Sequence, residues 1–282
     1  MTYPSILMFL DDDARAKVRN EQAVRFARHL GSHVEGLCCL RPAPIGVEAV
    51  AAMGAVVEPL TADLQAARRG AAAREQHFRS LCDSLEVASF ETEVDDNDDM
   101  GRAIVKRAAL HDLVIVGQPD PAQAGAARRR AAVDEIVLHS PRPTLLLPYA
   151  GHFDEFGKTA LVAWDGSHGA ARAAADALPL LRLAQTVHVV VFDTPAGPGS
   201  TMADSPAQDV VRWLGRHGVR AVGQARHAGS DIGNALLSLA ADLGADLLVM
   251  GCWGHARLAE RLLGGVTRTV MASMTVPVLT SH

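Results

Sequence analysis

ADLLVMGCWGHARLAERLLGGVTRTV, residues Ala245–Val270, is the stretch whose reading decides the fold. Leu247–Met250 is a short apolar run with the length and composition of a parallel strand buried on both faces. Gly251 and Gly254 follow it, then nine residues, then Gly264-Gly265-Val266-Thr267 leading into a helical pattern. Glycine at the carboxyl end of a strand lets backbone approach a ligand with no Cβ in the way. The amides of Gly265–Thr267 open a helix, where unpaired N–H groups and the helix dipole favour an anion. Thr267 adds a hydroxyl. A nucleotide phosphate is the simplest anion with those requirements. Glycines after strands also serve as plain turn residues, so the spacing alone leaves both readings open.

Working outward, the same pattern occurs twice. Asp112-Leu113-Val114-Ile115-Val116-Gly117 matches Asp246-Leu247-Leu248-Val249-Met250-Gly251, and Pro143 matches Pro277, both 134 residues apart. Strands are predicted at Ile6–Leu10, Val34–Leu40, Val87–Val94, Leu113–Val116 and Thr144–Leu147. Helices are predicted at Ala14–Leu30 (closed by Gly31 as a C-terminal cap), Leu60–Leu85, Gly101–Leu110 and Ala132–His139. After a linker, Tyr149–Gly157, strands recur at Ala160–Trp164, Val187–Phe192, Arg220–Arg226, Leu247–Met250 and Val276–Thr280. Helices recur at His168–Leu183 (capped by Ser167), Ala207–His217, Ile232–Leu243 and Val266–Ala272. Pro42-Ala43-Pro44 begins a weakly patterned stretch, and Asp193–Pro206 reads as a loop. Alternating strands and helices, repeated, argue for a duplicated α/β unit with right-handed crossovers. The expected domains are 1–149 and 158–282.

Composition limits the function. Of 282 residues, 49% are hydrophobic and 21% charged, enough apolar material for one large core or two ordinary ones. A formal net charge of −5 argues against a nucleic-acid partner. No apolar run reaches membrane-spanning length, and Met1-Thr2-Tyr3-Pro4 leads straight into a strand without a signal-peptide layout. Cys38, Cys39, Cys82 and Cys252 lack metal-ligand spacing, so they read as reduced thiols of a cytoplasmic protein. The cluster Asp95-Asp96-Asn97-Asp98-Asp99 reads as a solvated loop and helix N-terminal charge rather than a metal site.

The motif Gly251-x-x-Gly254-(nine residues)-Gly264, after an apolar strand and before Val266-Thr267, resembles the ATP-binding signature of the universal stress protein family. The resemblance covers nearly the whole chain as two tandem copies, and it is stronger in Lys158–His282 than before Tyr149. It implies two Rossmann-like domains, each an open five-stranded parallel sheet of order 3-2-1-4-5 with helices on both faces. In that order the carboxyl ends of strands 1 and 4 frame a crevice, and Asp165 and Gly251 stand at those two ends in the second half.

Carried over residue by residue, the resemblance implies that Ala163, Trp164 and Asp165 line base and ribose. Val191 and Met250 would touch adenine, and Gly251, Trp253 and Gly254 would form the near wall. Gly264, Gly265, Val266 and Thr267 would hold phosphates. The chain departs from the family in three places: Gly265 replaces a Ser or Thr, Trp253 a frequent His, and Trp164 a small residue. His255, Arg257 and Arg261 read as solvated helix residues, with phosphate contact as the alternative. The first half departs further, with Asp120, Arg130 and Val133 in place of the second glycine, third glycine and threonine. Its nucleotide site reads as lost or changed in ligand, and Arg128-Arg129-Arg130 as an exposed basic turn.

The implied protein binds ATP, with or without magnesium, and serves a stress or regulatory role. No Walker Gly-Lys-Ser/Thr is present, so turnover is expected to be weak ATP hydrolysis at most. A slow ATPase and a non-nucleotide ligand or protein-interaction module are the alternatives. The resemblance further implies an intramolecular pseudo-dimer through the fifth strands, Thr144–Leu147 and Val276–Thr280, whose edges would otherwise be unpaired. Homodimerisation beyond that is allowed but not required.

Overall fold

In each half the apolar runs become strands and the segments between them become helices. The computed structural model describes residues 2–40, 57–95, 99–153, 155–192, 206–227, 231–252 and 265–282, with backbone alone at 57–61 and 63. The first half contains β1 (Ser5–Phe9), α1 (Ala16–Leu30), β2 (His33–Cys39), α2 (Val57–Ser84) and β3 (Phe90–Asp95). It continues with α3 (Met100–Ala108), β4 (Leu113–Gly117), α4 (Ala126–His139) and β5 (Thr144–Leu147). The second half contains β6 (Thr159–Ala163), α5 (His168–Asp176), α6 (Leu178–Leu181), β7 (Thr186–Phe192), α7 (Pro206–Arg216) and β8 (Ala221–Arg226). It ends with α8 (Ile232–Asp242), β9 (Leu247–Gly251), α9 (Gly265–Ser273) and β10 (Val278–Ser281).

All ten strands form one sheet, in the order β3-β2-β1-β4-β5-β10-β9-β6-β7-β8. Each half therefore has the order 3-2-1-4-5, and all pairings within a half are parallel. The halves meet where β5 and β10 pair antiparallel, Leu145 opposite Leu279 and Thr144 opposite Thr280. All four residues of each strand are buried. Pairing the two apolar edges in one chain removes both from water and satisfies their backbone groups. The outer edges are the more polar strands β3 and β8, which suits strands with one unpaired side.

The repeated aspartate has a structural cause. Asp112 accepts the Ser5 N–H at 3.0 Å, and Asp246 accepts the N–H groups of Gly157, Lys158 and Thr159 at 3.0, 3.1 and 2.8 Å. In both halves the residue before the fourth strand thus fixes where the first strand begins. One core layer packs α1, α2, α5, α6 and α7 against the sheet, and the other packs α3, α4, α8 and α9. Both layers run across the two halves without interruption.

Helix boundaries show what local pattern misses. Gly31 is left-handed (φ 66°), and its N–H and that of Ser32 bond the Arg28 and Ala27 carbonyls at 3.0 Å, closing α1 as expected. The single helix expected over 168–183 is instead two, because Pro179 at the start of α6 has no N–H to continue the ladder. Helix α4 starts at Ala126 rather than Ala132. Its first turns carry arginines whose burial is tertiary, not periodic. Asp99 caps α3 by accepting the Arg102 N–H at 3.1 Å, consistent with the helix-start reading of the acidic cluster. Residues 96–98 of that cluster, Pro42-Ala43-Pro44 and the 193–205 part of the expected loop lie outside the described residues.

Candidate functional site

β6 and β9 are neighbours, yet β6 feeds α5 on one face of the sheet while the chain after β9 returns as α9 on the other. Their carboxyl ends therefore part and leave a crevice, the expected ligand position in an open α/β sheet. A cavity of about 220 Å³ lies there. It brings together Ala163, Trp164 and Asp165 beyond β6, Met250 and Gly251 of β9, and Gly265, Val266 and Thr267 opening α9. Trp253, Gly254 and Gly264 lie outside the described residues, as do His255, Arg257 and Arg261.

Val191 stands elsewhere. It is buried in the layer formed by α5, α6 and α7, and Phe192 lines the cavity instead. Successive side chains of β7 point to opposite faces of the sheet, and it is Phe192 rather than Val191 that falls on the cavity's side. Ala170, Ile232 and Leu236 also line the cavity without having been singled out from sequence. Ile232 and Leu236 are four apart on α8, hence on one helix face, a signal that was present in the pattern.

Local chemistry sets the two ends of the cavity. Asp165 Oδ1 accepts the Ser167 N–H at 2.9 Å, and Ser167 Oγ accepts the Ala170 N–H at 3.1 Å to cap α5. Asp165 is thereby fixed at the exposed mouth, with Oδ2 free of any partner among the described residues. At the other end Gly265 is exposed and Thr267 is buried, so the first amides of α9 face the crevice beside a hydroxyl. Between them the walls are apolar: Ala163, Trp164, Phe192, Leu236 and Met250. An acceptor, an apolar slot and an anion-favouring helix start match a ligand with hydroxyls, a flat apolar body and phosphate.

In the corresponding crevice of the first half a cavity of about 150 Å³ remains at Phe9, Leu10, Asp11 and Met100, but the protein's own arginines occupy its anion end. Asp11, which occupies Asp165's place, accepts from Arg129 Nε at 2.9 Å, and Arg129 also reaches Asp12 at 2.6 Å. Arg19 pairs with Asp13 at 2.7 Å and lies so close over Gly117 that a Cβ there would sit 2.2 Å from its Nε. The expectation of an exposed basic turn is corrected at Arg129, which is buried, while Arg128 and Arg130 are exposed as expected. Burial, with Asp13 alongside, pushes the Asp11 carboxyl up against the opposing pull of Arg129 and Arg19. Asp13 is desolvated too, but the hydrogen bond and charge of Arg19 outweigh that and hold its carboxyl below the usual range. The arginines that could meet a phosphate are already neutralised.

The two halves also touch reciprocally behind these crevices. Gln118, directly after Gly117, donates from Nε2 to the Met271 carbonyl in the last turn of α9 at 2.9 Å. Its repeat counterpart Cys252 has Sγ 3.1 Å from the Ser281 carbonyl and 3.4 Å from that of Val137, the counterpart of Met271, and its one proton serves either acceptor. Burial pushes the Cys252 thiol up to about 11, so it stays protonated and serves as a weak donor. The first half thus braces the helix that would hold phosphate in the second.

Comparison with known proteins adds family and fold. Residues 157–282 match the model of the universal stress protein family. A universal stress protein from Archaeoglobus fulgidus DSM 4304 superimposes with a TM-score of 0.70 at 15% identity, covering 98% of this chain and 94% of that one. A functionally unknown protein from Pseudomonas aeruginosa PAO1 gives 0.60 at 17% identity, covering 98% and 92%. At such identities the likeness shows a shared fold over the full length. No curated protein matches the chain.

Proposed function

Because the second half of this chain, residues 157–282, belongs to the universal stress protein family, we propose that it holds one adenine nucleotide in the β6–β9 crevice. The observation that carries this reading is the convergence, on one cavity, of the Asp165 carboxylate, an apolar slot and the amides opening α9. Asp165 Oδ2 accepts from ribose hydroxyls, Trp164, Phe192 and Met250 flank the base, and Gly265–Thr267 receive the phosphates. The Asp165 carboxylate would hold a magnesium ion, which would offset phosphate charge. The domains are 1–149 and 158–282, and the first half, whose Arg19 and Arg129 are already paired with aspartates, holds no nucleotide. The protein acts as a nucleotide-responsive regulator in stress, with turnover below about one per minute, far under the usual enzymic range.

Calorimetry with MgATP tests the site through Gly265. Among the described residues no atom lies within 4 Å of a Cβ built there. Gly265→Asp sets a carboxylate where the phosphates are to sit and is expected to weaken binding at least tenfold, about 1.4 kcal/mol. Gly265→Ala is expected to cost far less, since it keeps the N–H. Absence of MgATP binding by the unmodified protein up to millimolar concentrations, or equal binding by Gly265→Asp, would overturn the proposal.

A further inference from the structure

A second cavity is larger than the nucleotide crevice. It has a volume of about 580 Å³ and lies between the end of α1, helix α6 and the segment 155–158 that enters the second half. Its floor is apolar. The rings of Phe26 and Phe156 stack across the two halves with centroids 4.7 Å apart, and Leu30, Leu180 and Leu183 extend the surface. Leu183, 59% exposed, presents its side chain to this surface.

The rim is cationic. Arg25, Arg28, His29 and Lys158 border the cavity, and Glu155 is the sole carboxylate in its lining among the described residues. Arg25 is held by Glu21 at 2.6 Å and Lys158 by Glu155 at 2.5 Å. Arg28 is different: its nearest carboxylate is the exposed Glu86 at 3.8 Å, beyond hydrogen-bond reach. His29 has no hydrogen-bond or ion-pair partner among the described residues. Basic residues in a last helical turn commonly serve the C-terminal carbonyls. Here Gly31 and Ser32 already donate to the Arg28 and Ala27 carbonyls, so both basic side chains are left for another acceptor.

An apolar concavity of this size with a few convergent polar groups has the features of a small-molecule site. We propose that this groove binds an aliphatic carboxylate, its chain over Phe26, Phe156 and Leu183 and its head group at Arg28 and His29. The paired charges of Arg25 and Lys158 flank the chain and leave Arg28 as the principal head-group contact. The site is separate from the nucleotide crevice and does not depend on it.

Decanoate, titrated into the full chain below its micellar concentration, is the probe, with decanol as the uncharged control. The expected result is saturable binding at one decanoate per chain, at least tenfold tighter than decanol. Arg28→Glu and Leu183→Glu both alter exposed side chains and are each expected to weaken decanoate at least tenfold without shifting the thermal midpoint. No saturable binding, equal binding of decanol, or binding indifferent to both substitutions would each overturn the proposal.

Discussion

Gly251→Ala is expected to lower the thermal midpoint by roughly 6–12 °C and to abolish MgATP binding. A Cβ on Gly251 would lie 2.3 Å from the Ala170 nitrogen and 2.4 Å from the Gly169 carbonyl carbon. Those are backbone atoms in the first turn of α5, which cannot rotate aside as a side chain would. The contact is reciprocal, since a Cβ on Gly169 would lie 2.8 Å from the Cys252 oxygen. Strand and helix must therefore separate, at a cost of about 3 kcal/mol by analogy with overpacked cores. The separation also moves Ser167 and the Asp165 turn that it caps, so binding falls along with stability. Differential scanning calorimetry and MgATP titration of the same variant check both parts. An unchanged midpoint would show that β9 and α5 are not in the close contact described.

The second large effect lies in the first half, at Glu35. It is buried at 1% exposure in the middle of β2, and its carboxylate accepts from Arg107 Nε at 2.5 Å and from the terminal nitrogen at 2.8 Å. His111 Nε2 lies 3.2 Å from the second oxygen, and His111 Nδ1 is 2.8 Å from Ser5 Oγ. Burial alone would raise the Glu35 carboxyl, but the hydrogen bonds from His111 and Arg107 outweigh it and hold the carboxyl at about 2. Glu35→Gln is expected to cost about 3 kcal/mol at neutral pH, because it leaves the Arg107 guanidinium facing an uncharged amide. The sign of the pH dependence follows. A carboxyl lowered on folding contributes stability that is complete above its ordinary value near 4.5 and is lost as pH falls towards 2. The difference in midpoint between wild type and Glu35→Gln should thus be constant from pH 7 to about 5 and shrink below it. A difference that stays constant down to pH 3 would contradict the assignment.

What was legible in the sequence was whatever depends on short-range pattern. The repeat of Asp112 and Asp246, the apolar strands and Gly31 each state a local requirement that one or two residues satisfy. The crevice was legible too, because strand ends and glycines mark it, and Ala163–Asp165, Met250–Gly251 and Gly265–Thr267 meet there. Val191 was misplaced by one residue, and in a strand one residue is the whole difference between two faces. Glu35 was invisible because Val34–Leu40 otherwise reads as an apolar run, and its partners are 72 and 76 positions away. Arg19 and Arg129 were read, or passed over, as solvated helix charges. Their burial depends on Asp11, Asp12 and Asp13 being brought opposite them by the β1–β4 pairing, which no window of sequence contains.

The central claim is an asymmetry: one fold repeated in one chain, with one crevice proposed to take nucleotide and the other with its anion end occupied by arginine–aspartate pairs. Native mass spectrometry of the full chain with saturating MgATP tests it directly. The account predicts one nucleotide per chain, lost in Gly265→Asp. Two nucleotides per chain, or one that survives Gly265→Asp, would contradict it.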